Sequence, residues 1–443
     1  MTKSPCVGER IRAQRLKMGM TQQDLAGDTF TKSFISQIEK NHARPSLRSL
    51  QIIASRLGKP IGYFLGEEYT PTTDPDKVDH LSMLAARLKQ EGKLQDAINY
   101  YKEALALADQ DDHLRRGRLY FWQGEAYRDL EQREEAIQML EAARQELESE
   151  GEWEVLSYTY NGLGDLLLGL GKTDLAIPSF ERALDIIQNH PELPPNIHTT
   201  TLTNLGIALA KGRQYERAEH QLLIALERSE ADRTYYRYGD ICMALGYIYF
   251  HQQVLRDAYG FTNRARHFYI AIQDEDLEIQ CQINQGAIEG ARGNFPRAEL
   301  HLLEAAERAQ ALGQPQHQAH ALEKLAEVYI EWAVKQPEKL EDAEEVLKKA
   351  AMLQTDTAGH GAINQLLGEV LFRKNRLHEA IEALTKAAGL IEGEPDHQSR
   401  LADIYSRLGE ICQLQGDSKQ ATEFLQRSVN LFREMQSRTG PMQ

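Results

Sequence analysis

The stretch GKLQDAINYY at residues 92–101 decides the fold of this 443-residue chain, because its pattern returns eight times further along the sequence. Residues 171–180, GKTDLAIPSF, form one clear copy. The alanine of each copy lies 37 to 45 residues after the previous one, at Ala97, Ala136, Ala176, Ala218, Ala258, Ala298, Ala343, Ala380 and Ala421. A fixed period of this size indicates an array of structural repeats.

Each copy predicts a pair of antiparallel helices. In nearly every copy a second small residue lies seven positions after the alanine. Most copies also have a glycine twelve positions before the alanine. Small residues at these positions allow two helices to cross closely, while large apolar residues fill the space between them. The pattern is that of tetratricopeptide repeats, and it predicts an all-α, right-handed solenoid of about nine repeats. The usual period is about 34 residues, so we assign the extra residues to longer helices.

Some copies depart from this pattern. The first copy has Ala85 in place of the glycine, and the seventh contains an insertion, Trp332–Glu338, in which Pro337 predicts a loop. The last copy ends in Ser428 and a polar tail, as expected for a terminal cap.

The first 66 residues differ from the remainder in charge. They contain 11 Lys and Arg against 4 Asp and Glu, whereas residues 67–443 contain 40 against 62. A basic N-terminal segment in an otherwise acidic chain is expected when only that segment binds the phosphate groups of a nucleic acid. Apolar spacing predicts helices over Val7–Met18, Gln22–Ala26, Lys32–Glu39 and Leu47–Leu57, then an apolar turn at Ile61–Leu65. The N-caps of the second and third helices are predicted to be Thr21 and Thr31.

This N-terminal segment resembles the Xre/Cro-type helix-turn-helix family. The resemblance is carried by residues 10–12, Arg15, residues 21–26, 35–39, 44–46, 57–58 and 63–64. The turn between Ala26 and Ile35 is one residue shorter than in phage repressors and lacks their glycine at the place of Phe30. A shortened turn followed by repeats is similar to the RRNPP peptide-pheromone receptors of Gram-positive bacteria, which include PlcR-like and NprR-like regulators.

The resemblance implies that the third helix lies in the major groove of double-stranded DNA. The DNA-binding residues it implies are Gln22, Lys32, Ser33, Phe34, Gln37, Arg12, Arg44 and Arg48. Of these, Lys32, Ser33 and Gln37 take base-reading positions and Phe34 contacts a thymine methyl group, while the others contact the phosphate backbone. We expect Glu39 to pair within the protein, because phosphate repels a carboxylate. The alternative is that these polar residues form the solvated face of a structural bundle.

The first helices of the repeats are expected to line a concave groove. Its predicted peptide-binding residues are Asn161, Asn204, Asn284, Arg128, Lys211, Tyr247, Lys324 and Arg373, with His251 and Arg407 nearby. An asparagine amide can both donate to and accept from an extended peptide backbone. The resemblance implies the same role, since the pheromone receptors bind signalling peptides through such asparagines. The alternative is an ordinary solvated face of an acidic solenoid.

Catalytic and membrane signatures are missing from the sequence. It has no glycine-rich phosphate loop, HExxH pair or GxSxG elbow, and its four cysteines lack metal-ligand spacing. We therefore expect no enzymatic activity, no cofactor and no bound metal. No apolar run approaches the roughly 18 residues of a membrane span, so a cytoplasmic protein is expected.

These observations predict four segments. Residues 1–66 form a helix-turn-helix domain, 67–76 a linker, 77–435 the repeat solenoid and 436–443 a C-terminal tail. The expected function is a sequence-specific transcriptional regulator that forms a homodimer and senses a ligand, most simply a signalling peptide. Two alternatives remain open: a scaffold for a folded partner such as a response regulator, and a constitutive repressor that its repeats dimerise.

Overall fold

The computed structural model of the protein describes residues 7–27, 29–43, 45, 47–57, 59, 64, 75–231, 235–393 and 397–438. Its regular secondary structure, over these ranges, is entirely helical. The chain divides into two compact units, Met1–Arg116 and Gly117–Gln443, and each is treated separately below. The all-α class predicted from the repeats is therefore confirmed.

The first unit contains six complete helices in its described part. They are α1 (Val7–Lys17), α2 (Gln22–Ala26), α3 (Lys32–Glu39), α4 (Leu47–Arg56), α5 (Pro75–Gln90) and α6 (Leu94–Leu107). The first four end within one residue of their predicted bounds. The apolar turn predicted at Ile61–Leu65 lies outside the described residues except for Phe64, which is fully buried.

Side-chain caps fix where the two short helices of this unit begin. The Thr21 hydroxyl accepts from the Asp24 amide at 3.2 Å, and the Asp24 carboxylate accepts from the Thr21 amide at 2.7 Å. The Thr31 hydroxyl accepts from the Phe34 amide at 3.1 Å. Both predicted N-caps are confirmed, and each satisfies an amide that the first turn leaves without a helical partner.

The second unit is a succession of helical pairs, and the boundary between the units falls inside α7 (His113–Asp129). The helices that follow are α8 (Arg133–Leu147), α9 (Trp153–Gly169), α10 (Thr173–Asn189), α11 (Pro195–Lys211), α12 (Tyr215–Ala231), α13 (Tyr238–His251), α14 (Leu255–Ile272), α15 (Glu275–Ala291), α16 (Phe295–Ala311), α17 (Pro315–Trp332), α18 (Lys339–Leu353), α19 (Thr357–Arg373), α20 (Leu377–Ile391), α21 (Gln398–Leu414) and α22 (Ser418–Arg438). Most are 14 to 18 residues long, which accounts for the long period. The loop predicted around Pro337 is confirmed between α17 and α18.

Glycines allow the two helices of a pair to approach closely. A Cβ atom on Gly206 would lie 2.5 Å from Cγ of Leu222, and one on Gly164 would lie 2.6 Å from the ring of Phe180. The leucine and phenylalanine therefore occupy the space that a larger residue would need. The predicted close crossing of the helices is thus a property of the fold, and the apolar core lies between them.

Buried ion pairs add contacts between successive pairs of helices. The Glu344 carboxylate on α18 is 6% exposed and accepts from Lys348 at 2.7 Å, Lys374 at 2.6 Å and Arg376 at 2.9 Å. Burial alone would raise the pKa of Glu344, but these three cations outweigh it and lower the pKa to about 2.

None of the helices in the described ranges is both long and apolar enough to cross a bilayer.

Candidate DNA interface and ligand-binding face

Helix α3 presents polar residues on one side and apolar residues on the other. Lys32, Ser33 and Gln37 are exposed, while Ile35 and Ile38 are at most 1% exposed within the core. An amphipathic helix of eight residues is thereby held firmly by its apolar face. The exposed face offers an ammonium, a hydroxyl and an amide, which are the groups that recognise base edges.

The short turn before α3 is held by Arg56 of α4, a residue that the sequence analysis did not identify. Its guanidinium donates to the carbonyl of Leu25 at 2.9 Å and to the hydroxyl of Thr29 at 2.8 Å. It also lies over the ring of Phe30, 5.8 Å from the centroid. The first bond satisfies a carbonyl at the end of α2. The positive φ of this turn falls on Gly27, at 49°, and not on Phe30, so position 30 needs no glycine.

The side chain of Phe34 packs towards the core. It is half-buried, and its ring lies 5.3 Å from that of Phe30. Its predicted contact with a thymine methyl group would use the part of the ring that remains exposed, and that contact stays a prediction.

Glu39 is the centre of a buried polar cluster in the N-terminal domain. Its carboxylate pairs with the guanidinium of Arg15 at 2.5 and 3.0 Å and accepts from the amide of Gln22 at 2.7 Å. Burial would raise the pKa of Glu39, but the bonds from Arg15 and Gln22 outweigh burial and lower the pKa. The predicted internal role of Glu39 is confirmed. Gln22 keeps a second amide hydrogen with which to contact phosphate.

The predicted arginine contacts to phosphate are only partly described. Arg12 on α1 is exposed. Arg44 and the side chain of Arg48 lie outside the described residues, so their contacts stay predictions.

Two of the three predicted groove asparagines are buried between first helices of neighbouring repeats. Asn161 on α9 is 6% exposed and donates to the carbonyl of Ser157 at 2.9 Å and the hydroxyl of Thr201 at 2.8 Å. Its own carbonyl oxygen is buried without a hydrogen-bond partner in the described structure. The amide of Asn161 therefore ties α9 to α11 and leaves one acceptor unused.

Asn204 on α11 joins three successive repeats. Its amide donates to Asp165 of α9 at 3.0 Å, and its oxygen accepts from Arg237, which precedes α13. Burial raises the pKa of Asp165, and the charges of Arg237 and Arg128 oppose that rise. Asp165 is nonetheless exposed to solvent. A side chain that water reaches but that protein atoms crowd is expected on a concave surface. The sequence analysis identified neither Asp165 nor Arg237.

Most of the predicted groove cations have carboxylate partners. Arg128 donates to Glu125 at 2.6 Å, and Lys324 donates to both oxygens of Glu327 at 2.8 and 3.0 Å. The remaining pairs are Arg373 with Glu369, and Arg407 with Glu369 and Glu410. Asn284 is half-buried and accepts from Gln280 at 3.3 Å. Whether any of these residues contacts a ligand stays a prediction.

An aromatic group lies at the end of α13. The ring of His251 is 4.3 Å from the ring of Tyr247 and stacks on Tyr215 at 5.7 Å, with 6° between the planes. Burial lowers the pKa of His251, and the charges of Arg213 and Lys324 lower it further. Arg213, in the turn between α11 and α12, was missed because turn residues carry no helical periodicity.

Two protein families match this chain. The helix-turn-helix family matches residues 11–64, and the tetratricopeptide repeat family matches residues 115–189 and 360–434. The chain therefore combines an Xre-like helix-turn-helix domain with tetratricopeptide repeats, as the sequence predicted.

A phage protein is similar to the N-terminal domain. The immunity repressor protein of Bacillus phage phi105 is 36% identical to this chain over 63 residues, which are 14% of this chain. The match spans 44% of the length of the repressor, which is less than half of that protein.

Solved structures share the fold of the repeats. The Rap conjugation gene regulator of plasmid pLS20, in complex with the Phr* peptide, matches 83% of this chain and 98% of its own, with 13% identity and a TM-score of 0.50. PlcR of Bacillus thuringiensis, in complex with the peptide PapR7 and DNA, matches 60% of this chain and 95% of its own, with 20% identity and a TM-score of 0.34. Members of the RRNPP group are thus among the structural neighbours that the sequence analysis anticipated.

Proposed function

We propose that the protein is a DNA-binding transcriptional regulator whose repeats sense a short signalling peptide. The observation that carries the DNA-binding part is the helix-turn-helix domain itself, with Lys32, Ser33 and Gln37 exposed on α3. Its surplus of seven positive charges, within an otherwise acidic chain, favours phosphate at this domain alone.

The inner face of the repeats supports a peptide as the ligand. Amides and charged groups from α9, α11 and α13 form a connected network through Asn204, and extended peptide backbone requires donors and acceptors of this kind. The buried oxygen of Asn161 is an acceptor that a peptide N–H satisfies after a small side-chain movement. The Rap regulator with the same fold was solved with a peptide bound.

The two functions are coupled through the shape of the repeat array. A ligand that contacts the first helices of several repeats binds more tightly to an array of one superhelical pitch than to an array of another. This difference in affinity shifts the equilibrium towards the conformation that binds the ligand better. In a homodimer, the pitch sets the separation of the two helix-turn-helix domains. The two half-sites of an operator lie one helical turn of DNA, about 34–36 Å, or a multiple of it apart. The separation of the two helix-turn-helix domains therefore controls the affinity of the dimer for the operator.

The DNA-binding part can be tested without knowing the operator. The full-length protein selects sequences from a pool of random DNA duplexes, and the affinity for the selected duplex is measured by electrophoretic mobility shift. We expect Lys32→Ala with Gln37→Ala to weaken binding at least about 30-fold, because each good base contact contributes about 1–3 kcal/mol and two are removed. Lys17→Ala removes the same charge from an exposed position on α1 and serves as the control.

Two results would contradict the proposal. Equal affinities of the double variant and the control would remove α3 from base recognition. Selected duplexes with one half-site, in place of two separated by whole helical turns, would contradict the homodimer.

A further inference from the structure

We propose that a polar cleft of the repeat unit binds a free α-amino acid. The cleft lies between α14 and α16, which are the second helices of successive repeats, and its floor is α15. Its volume is about 320 Å³, at the lower end of the roughly 300–1,000 Å³ typical of small-molecule sites. The residues that line it are Arg266, Gln282, Glu304, Glu307, Arg308 and Ala311. The cleft is distinct from the network of Asn204 on the first helices, and its ligand is additional to the proposed peptide.

The polar side chains of the cleft are not required by the repeat fold. Counted from the alanine of each repeat, the positions of Gln282 and Arg266 hold apolar residues in the two preceding repeats. These residues are Leu202 and Cys242 at the position of Gln282, and Leu184 and Leu226 at the position of Arg266. All four are at most 8% exposed. A repeat can therefore fill this space with apolar core, and an amide and a guanidinium in its place indicate a polar ligand.

Two buried polar atoms of these residues have no hydrogen-bond partner within the described structure. They are Oε1 of Gln282, a residue that is 1% exposed, and Nε of Arg266. The two terminal nitrogens of Arg266 donate to Glu278 and Gln285, both at 3.3 Å. Because Glu278 and Gln285 lie one turn of α15 before and after Gln282, the guanidinium lies over Gln282. One acceptor and one donor are thus buried near each other, at a cost in free energy that a bound molecule with both kinds of group removes.

The carboxylates of the cleft are available to a cation. Glu304 and Glu307 lie on α16 and are exposed. Glu304 accepts from the amide of Gln282 at 2.9 Å, and among the described residues neither carboxylate has an ion-pair partner. The charge of Arg308 does not neutralise them, because both of its terminal nitrogens donate to Glu278, at 2.5 and 2.6 Å. The cleft therefore attracts a positively charged group towards α16.

An α-amino acid has the groups that match this arrangement. Its ammonium group has three N–H donors, for Oε1 of Gln282 and for the carboxylates of Glu304 and Glu307. The Gln282 amide turns its oxygen towards the ammonium by rotation about its last side-chain torsion, which has a broad energy minimum. The carboxylate of the ligand, on the adjacent carbon, accepts from Nε of Arg266. Hydrogen bonds between charged groups are about twice as strong as those between neutral groups.

Ligands with a single charge fit the cleft less well. A simple amine leaves Nε of Arg266 without an acceptor, and a simple anion meets the unpaired carboxylates of Glu304 and Glu307. A zwitterion satisfies both sides of the cleft. Bound in this way, it contacts α14, α15 and α16 and so joins two successive repeats.

The experiment uses the full-length protein and the standard amino acids. Binding of each amino acid is detected by saturation-transfer NMR, and the dissociation constant of the best binder is measured by calorimetry. The best binder is compared with its N-acetyl derivative, which lacks the ammonium group, and with its amide derivative, which lacks the carboxylate. The variants are Gln282→Leu and Glu307→Gln. The control is Glu227→Gln, because Glu227 is an exposed glutamate at the position of Glu307 two repeats earlier.

We expect the wild type and the control to bind the best amino acid equally. Gln282→Leu should bind it at least about 10-fold more weakly, because it loses a hydrogen bond to a charged group. Glu307→Gln should weaken binding about 2- to 5-fold, since an ion pair at an exposed carboxylate contributes little. The N-acetyl and amide derivatives should each bind the wild type about 10-fold more weakly than the amino acid, because each lacks one of the two charges.

Three results would overturn the inference. If no amino acid binds at millimolar concentration, the cleft holds water only. If an amino acid binds but Gln282→Leu and Glu307→Gln leave its dissociation constant unchanged, it binds elsewhere. If the amide derivative binds as tightly as the amino acid, the ligand carboxylate has no role and the assignment is wrong. Thermal melting establishes that each variant is folded, as the leucine at the same position two repeats earlier predicts for Gln282→Leu.

Discussion

Replacing Glu39 by glutamine perturbs the N-terminal domain at the most buried charged residue among those that the structure describes there. The side chains of Glu39 and Arg15 are 2% and 8% exposed. The Arg15 guanidinium donates twice to this carboxylate and once to the carbonyl of Met20 at 2.7 Å. The Glu39→Gln variant keeps the shape of the side chain and one acceptor oxygen, but it leaves the charge of Arg15 buried without a counter-ion.

The expected cost follows from this geometry. Breaking a buried ion pair from one side costs about 3–5 kcal/mol, and the retained oxygen places Glu39→Gln near the lower value. A domain of roughly 60 residues is stable by only about 3–9 kcal/mol at typical values per residue. For a domain of this size, a loss of about 3 kcal/mol lowers the midpoint of thermal unfolding by roughly 12–24 °C.

Hydrogen exchange of the full-length protein, followed by mass spectrometry, measures this effect domain by domain. Peptides from residues 7–57 should exchange faster in Glu39→Gln, while peptides from α9 to α20 should not change. Lys17→Gln, at an exposed position on α1, is the control. The variant Arg15→Met with Glu39→Leu removes both charges and should recover most of the protection, because apolar replacement of a buried pair is often neutral. A change below 1 kcal/mol in Glu39→Gln, or no recovery in the double variant, would refute the reasoning.

Two further predictions concern the repeats. Gly206→Ala should lower the free energy of unfolding by about 1–3 kcal/mol, because the added Cβ would overlap Leu222. Gly260→Ala, in α14, has open space around the added Cβ and should raise the free energy of unfolding by about 0.5–1 kcal/mol. Equal effects of the two variants in urea unfolding would contradict the close crossing of α11 and α12. Because the pKa of Glu344 is lowered in the folded protein, the stability that its ionised carboxylate contributes is complete above pH 4.5 and is lost as the pH falls towards about 2. At pH 7 the free energy of unfolding of the wild type should thus exceed that of Glu344→Gln by up to about 3 kcal/mol. A difference in stability that does not depend on pH would count against the ion-pair network.

The sequence by itself determined the helices, the repeat period and the class of the N-terminal domain. Thr21 and Thr31 cap the helices that they were predicted to cap, and the loop at Pro337 lies where it was expected. These features depend on residues within a few positions of each other, or on a pattern that recurs at a fixed spacing. Glu39 was predicted correctly for a similar reason, since its charge alone excludes a position facing phosphate.

The tertiary structure alone decided which polar side chains are available to a ligand. Asn204 was predicted to line the groove and bind a peptide backbone, and the structure shows that it also bonds to Asp165, 39 residues earlier, and to Arg237, 33 residues later. Lys211 and Arg213 remain unpaired in the described structure, while Arg128, Arg373 and Arg407 are paired. Arg128 and Arg373 pair with carboxylates three and four residues away on their own helices, which spacing alone could have indicated. The partners of Asn204, and Glu369 beside Arg407, come from another repeat, and only the stacking of the repeats brings those side chains together.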